Sequence, residues 1–255
     1  MKVPTTVVAA GTLLLCLAAA GCGPDGAEGQ GAGGEATGAA PRTPGTASAT
    51  TPVAAASPTP TGDGRTLTEA ELTKVALTTG EAPGYALAPL EGTDERGTEE
   101  SEDEACRPIT AIINGSPEPA PAATVFRTVT DTREQGEDDR TVVTEILTSH
   151  PKGEAEELLR SVRDAVRACA DGFRTTSEDG PSTYTGVKAL PAAEAGQESF
   201  AYQVTGSLEG AGVPLVFHLV RTGSTVVTFY AADFLTSTTP EVPAALVTAQ
   251  AAKLP

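Results

Sequence analysis

Tryptophan is absent from this 255-residue chain, methionine and asparagine occur once each, and the two histidines are His150 and His218. These shortages, with arginine preferred to lysine, read as the codon bias of a GC-rich genome and say little about chemistry. Basic residues are also scarce: 17 Lys and Arg stand against 34 Asp and Glu, a formal net charge of -17. Nucleic acid and anionic lipid head groups both require a basic field, so neither is expected as a partner. The apolar run over 7–17 falls short of the roughly 20 residues that span a bilayer, which excludes a stable membrane helix there.

That short run carries a different signal. A cationic start at Lys2, the apolar core and the small residues Ala18-Ala19-Ala20-Gly21 before Cys22 have the order of a secretory leader. A cysteine directly after Ala-Gly resembles the lipobox of bacterial lipoproteins, with Ala19 where that motif usually has Leu. The resemblance implies cleavage after residue 21, acylation of the Cys22 thiol, and anchoring at the extracytoplasmic face of the cell membrane. Residues 22–65 follow as the lipidated cysteine and a tether of Gly, Ala, Pro, Thr and Ser with no aromatic residue. Such a segment cannot offset its chain entropy by burial, and as a flexible coil it would reach about 35 to 40 Å.

Every Phe and Tyr lies at or beyond Tyr85, so the folded domain is expected over 66–255. Thr68 and Glu71 form a capping box, with Leu67 and Leu72 as its hydrophobic staple, and a helix should run from Glu69 until Gly80 stops it. Pro83-Gly84-Tyr85 reads as a turn, and the acidic stretch 94–104 as a solvated loop. Strands are expected at 124–130, 140–148, 182–188, 198–205, 213–221 and 225–232, from their β-branched content and alternation. Helical spacing predicts a helix over 154–171, and another over 240–253. The fold class is therefore α+β, one antiparallel sheet of five to six strands packed by two or three helices.

After the leader and Cys22, two cysteines remain. An isolated pair outside the cytoplasm is expected to form one disulfide, Cys106–Cys169. Two thiols with no nearby histidine supply too few ligands for zinc.

No catalytic constellation survives inspection. Ser149-x-x-Lys152 and Arg221-Thr222-Gly223 imitate acyl-transferase motifs, but the third motif of that set needs an asparagine between them, and Asn114 lies upstream of both. His218 sits between Val216 and Val220 as a partly buried strand residue. A calcium loop over 131–142 fails because Arg133 and Gln135 occupy ligand positions and Val142 replaces the final glutamate. Loose calcium collection by 94–104 and 137–139 stays open. Gly31-x-Gly33-x-x-Ala36 lies in the tether with no strand before it, so no dinucleotide and no other cofactor is expected.

The order Leu67-Thr68-Glu69-Ala70-Glu71-Leu72, Pro83-Gly84-Tyr85, a cysteine, a hairpin, then a second cysteine within an amphipathic helix resembles the actinobacterial sensor-domain lipoproteins. These are similar to the extracellular sensor domain of the mycobacterial receptor kinase PknH. The resemblance implies an antiparallel sheet with helices and a ligand cleft, and it carries no catalytic residue. The leading expectation is a non-enzymatic lipoprotein that binds a small-molecule or envelope ligand. Three alternatives stand beside it: a carrier of lipid or cell-wall precursors lined by Phe200, Tyr202, Leu215, Phe217 and Phe229, an envelope hydrolase, and a module that docks a protein partner.

Overall fold

The computed structural model describes residues 64–90, 96–133, 142–208, 210–234 and 238–255. The leader, Cys22 and nearly all of the tether lie outside them. From Arg65 onward the chain is tied to the domain. The Ser224 hydroxyl donates to the Arg65 carbonyl, the Thr66 hydroxyl donates to the His150 carbonyl at 3.0 Å, and the Leu67 amide donates to Ser149 Oγ at 2.7 Å.

Helix α1 spans Glu69–Val75 with the capping box in place: the Glu71 amide donates to Thr68 Oγ1, and Glu71 accepts the Thr68 amide at 2.9 Å. It is shorter than the spacing predicts. Gln250 takes over the groups that would continue it, accepting the Leu77 amide at 2.7 Å and donating to the Val75 carbonyl at 2.9 Å. The chain then turns into β1 (Tyr85–Pro89) where a turn alone is expected, and β2 (Glu100–Ser101) and a 3-10 turn (Glu104–Cys106) lead into α2 (Arg107–Ile113). Strands β3 (Ala123–Asp131) and β4 (Val142–Ser149) precede α3 (Glu154–Ala168). Strands β5 (Phe173–Ser177), β6 (Gly180–Leu190), β7 (Glu198–Leu208), β8 (Ala211–Thr222) and β9 (Thr225–Ala232) follow, and α4 (Ala244–Ala251) comes last.

All nine strands form one antiparallel sheet in the order β1-β3-β4-β9-β8-β7-β6-β5-β2. The α+β class and the antiparallel sheet agree with the sequence reading, whereas nine strands and four helices among the described residues correct its five to six and two or three. Strands β1, β2, β5 and helix α2 are the additions. The last helix also starts four residues later than expected, at Ala244, because Pro243 is in extended conformation as its N-cap.

Two apolar layers cover the sheet. On one face α1 and α4 pack over Val125, Val129, Val143, Leu147, Val227 and Phe229. On the other α3 lays Leu158, Leu159, Val162 and Val166 over the β6 to β8 region, against Tyr184, Tyr202, Leu215 and Phe217. Acidic Glu154, Glu156 and Glu157 begin α3 and Arg167 lies in its last turn, the polarity that a helix dipole favours. A register shift between Tyr184 and Gly186 turns Tyr184 and Val187 to the same side, so both reach the α3 layer.

The two layers are unequal in extent. Because directly opposite residues on antiparallel strands share a face, Thr128, Thr144, Tyr230, Phe217 and Tyr202 form one continuous row across β3, β4, β9, β8 and β7. Tyr202 and Phe217 are buried under α3, while Tyr230, Thr144 and Thr128 are only half-buried. On this face α3 covers the β6 to β8 end and leaves the β1, β3, β4 end partly open.

Candidate functional site

The open end of that face is walled by α2. Cys106 caps the N-terminus of α2 and Cys169 the C-terminus of α3, and the two are joined in a disulfide with Cα atoms 5.9 Å apart. Ile109 and Ile112 pack into the α3 layer, which sets the far end of α2 above the sheet. The segment 96–99 folds back onto that end through Asn114: the Glu99 amide donates to Asn114 Oδ1 at 3.2 Å, and Asn114 Nδ2 donates to the Glu99 carbonyl at 2.8 Å. Gly97 is required by this closeness, since a Cβ there would sit 2.4 Å from Asn114 Oδ1.

Between these walls and the sheet lies a cleft of about 280 Å³. Phe126, Thr144, Ile146, Phe217 and Tyr230 line its sheet side, Ile112 and Ile113 its α2 side, and Leu90 and Arg96 also border it. Rings stack in sequence from the core to this opening: Phe200 on Tyr202 at 5.9 Å, Tyr202 on Phe217 at 5.2 Å, and Phe217 on Tyr230 at 5.1 Å between centroids. Burial pushes the Tyr230 hydroxyl up to about 12 and raises that of Tyr202, whose oxygen has no hydrogen-bond partner. The Arg96 guanidinium lies 6.0 Å from the centre of the Phe126 ring, at the limit of a cation–π contact. Such a cleft can hold a small apolar or aromatic body by area burial and ring stacking.

In two further depressions the arginines and several of the acids already have partners. One of about 450 Å³ is lined by Glu99, Glu104, Arg107, Thr110 and Glu118. There Arg107 pairs with Glu104 at 3.2 Å and Glu118 at 2.8 Å. Glu99 accepts hydroxyls from Thr175, Ser182 and Tyr184 at 2.7 to 2.9 Å. The described part of the acidic stretch is thus pinned to the β5–β6 hairpin rather than solvated throughout. The other depression, about 280 Å³, lies beside Tyr85, Asp131 and Arg133. Arg133 grips the Asp131 carboxylate and also donates to Tyr85 Oη at 2.9 Å, and that grip holds the Asp131 carboxyl below its ordinary range.

Residues singled out in the sequence are scattered by the fold. Ser149 Oγ is buried as an acceptor for the Leu67 amide, and Arg221 is engaged by Glu198 and Glu156, so the two acyl-transferase look-alikes build no common centre. His150 is fully buried with Nε2 2.9 Å from Thr148 Oγ1, and burial lowers it to about 4. His218 is buried on the α1/α4 face with Nε2 2.8 Å from Ser199 Oγ, and burial lowers it too. No acidic side chain of the described residues hydrogen-bonds to His218, so the pair lacks the orienting third group of a hydrolase triad. Among the described residues no group of three His, Cys, Asp or Glu is placed to hold a metal ion. The rejected calcium loop 131–142 lies mostly outside them, and Cys22 wholly so.

The lipid-carrier lining needs correction. Phe200, Tyr202, Leu215 and Phe217 share the α3 face, but Phe229 pairs with His218 and Glu145 and faces the α1/α4 layer. The sheet separates it from the other four.

No protein-family model matches the chain, and no curated protein matches it. A distant likeness of fold does exist. The chain is similar to the crystal structure of the extracellular domain of PknH from Mycobacterium tuberculosis. Identity is 13% and the TM-score 0.47, over 75% of this chain and 96% of that one. The cleft residues come from the geometry above and not from that likeness. Of the cleft residues, sequence reading named Phe217 alone as a ligand-lining residue, because Thr144 looks like an ordinary strand former and Arg96 like one charge in a polar loop. The signal that could have found them is the polar-apolar register of β3, β4 and β9 taken together.

Proposed function

We propose that this protein is a lipoprotein of the cell envelope whose domain binds a small ligand with an apolar body in the cleft between α2 and strands β3, β4 and β9. The carrying observation is the half-open aromatic row ending at Tyr230, which leaves ring and methyl surface uncovered beside a wall held by a disulfide. A carrier for whole lipids is not favoured, because about 280 Å³ is below the range of roughly 300 to 1,000 Å³ that encloses drug-sized ligands.

The anchor is tested at Cys22. Changing Cys22→Ala should shift the protein from the membrane pellet to the medium after fractionation, and a chain still in the pellet would remove the anchoring reading. For the cleft, the neutral probe N-phenyl-1-naphthylamine should gain fluorescence on the whole chain carrying Cys22→Ala. Adding Thr144→Phe, which fills the cleft from its sheet side, should weaken that binding roughly tenfold or more. Probe binding unchanged by Thr144→Phe would refute the cleft as the site, and absent probe binding would refute apolar contact as sufficient for binding there.

A further inference from the structure

Arginines of this acidic domain are almost all neutralised. Of the ten described, eight hold a carboxylate: Arg65, Arg107, Arg133, Arg160, Arg163, Arg167, Arg174 and Arg221. Arg127 donates to the Phe126 carbonyl at 2.9 Å, on the opposite face of the sheet from the cleft. Arg96 is the exception. It has no carboxylate or carbonyl partner among the described residues, its side chain is exposed, and its guanidinium lies over Phe126 at the cleft. Among the described residues lining that cleft it is also the one that is charged. In a chain with twice as many acids as bases, an arginine left unpaired beside an apolar cleft is placed against the prevailing composition.

We infer that Arg96 reads a negative charge on the ligand, so that the cleft takes a small apolar or aromatic anion, a carboxylate, sulfonate or phosphate attached to a compact ring body. This rests on the cleft being the binding site and adds the class of what it binds. The guanidinium presents a planar fork of donors suited to such a group, while its flat face stays on the Phe126 ring. The row from Tyr230 to Phe217 stacks with the ligand body, and the acidic surroundings repel anions that lack an apolar part, since these gain nothing from the rings. Uncharged ligands gain the rings but not the arginine.

Two dyes that differ by one sulfonate separate these contributions. On the whole chain carrying Cys22→Ala, 1-anilinonaphthalene-8-sulfonate should bind about fivefold tighter than N-phenyl-1-naphthylamine, the advantage of one partly exposed charge contact. Arg96→Gln should erase that preference and leave the neutral dye's affinity unchanged, and 1 M salt should shrink it in the unmodified cleft. Thr144→Phe should weaken both dyes. Equal binding of the two dyes, a preference that survives Arg96→Gln, or sulfonate binding that survives Thr144→Phe would each overturn the inference. Failure of the neutral dye alone, with Arg96-dependent sulfonate binding intact, would instead overturn the reading that apolar contact suffices for binding.

Discussion

Unfolding free energy should not decline with rising pH until about 6.5, should fall from there to about 8, and should lose that falling limb when Glu145 is changed to Gln. Glu145 is completely buried in β4 on the α1/α4 face, between Arg127 of β3 and Phe229 of β9, and neither carboxyl oxygen has a hydrogen-bond partner. The nearby cations are committed elsewhere: Arg127 to the Phe126 carbonyl, and Lys253 Nζ to the Ala76 carbonyl at 2.8 Å and to Glu81 at 2.6 Å. Burial therefore pushes the Glu145 carboxyl up to about 8. In the unfolded chain it ionises near 4.3, so between these values the folded state holds a proton that the unfolded state has released. Stability from this group is complete below the unfolded value and declines by up to about 1.4 kcal/mol per pH unit until the folded value is passed.

The two buried histidines act in the opposite sense. Burial lowers His150 to about 4 and lowers His218 as well, so below about 6.5 the unfolded chain binds protons that the folded state does not. Their contribution is present above that value and lost as pH falls. Between about 4.3 and 6.5 the rising His150 contribution offsets the falling Glu145 one and His218 adds to the rise, and above about 6.5 Glu145 acts alone among these three. Denaturant titrations from pH 5 to 8.5 on the parent and on Glu145→Gln would show this directly. An alkaline decline identical in the two proteins would eliminate Glu145 as its source. Glu145→Leu, which replaces an unpartnered carboxyl by apolar volume, should raise stability at pH 8 by about 2 kcal/mol.

Much of the domain was legible because its elements obey strong local rules. The Thr68/Glu71 box starts α1, the apolar stripe of α3 emerges at the expected spacing, and strands β7 to β9 alternate cleanly around turns that include Gly210 and Gly223, both with positive φ. What escaped was short or locally contradictory. The α2 segment Arg-Pro-Ile-Thr-Ala-Ile-Ile is seven residues rich in β-branched side chains, a poor helix by propensity. It is helical because Cys106 and the buried Ile109 and Ile112 fasten it to α3. Strand β1 ends in Pro89, which is tolerable because β1 is an edge strand paired only with β3. Strand β5 follows Gly172 at once, and it extends the sheet beyond β6. The cleft was illegible for a related reason. It depends on which half of a two-sided sheet the helices leave uncovered, and that is set by pairings such as β4 with β9, 76 or more residues apart.

Removing the disulfide should produce the second large effect, and it should be felt in the cleft as well as in global stability. The bond closes a separation of 63 residues, for which the loop-entropy model gives about 4 kcal/mol of stabilisation through the unfolded state. Cys106→Ala with Cys169→Ala should lower the unfolding free energy by about that amount. A second consequence follows from where the bond sits. Helix α2 is too short to persist by itself, and it supplies Ile112, Ile113 and Asn114 to the cleft wall. Freed at Cys106, it keeps its apolar contacts with α3, the Arg107–Glu118 pair and the Asn114–Glu99 hydrogen bonds but no covalent tie, so the cleft wall that it shares with the 96–99 segment loosens. Binding of N-phenyl-1-naphthylamine should then weaken more than a uniformly destabilised protein would show. Leu158→Ala provides that control, since it creates a cavity under α3 costing about 2 to 5 kcal/mol and removes no residue that lines the cleft. If the double cysteine variant and Leu158→Ala lose stability alike but bind the probe equally well, α2 is held by its packing alone. If only the cysteine variant loses the probe, the disulfide is what keeps the cleft in shape.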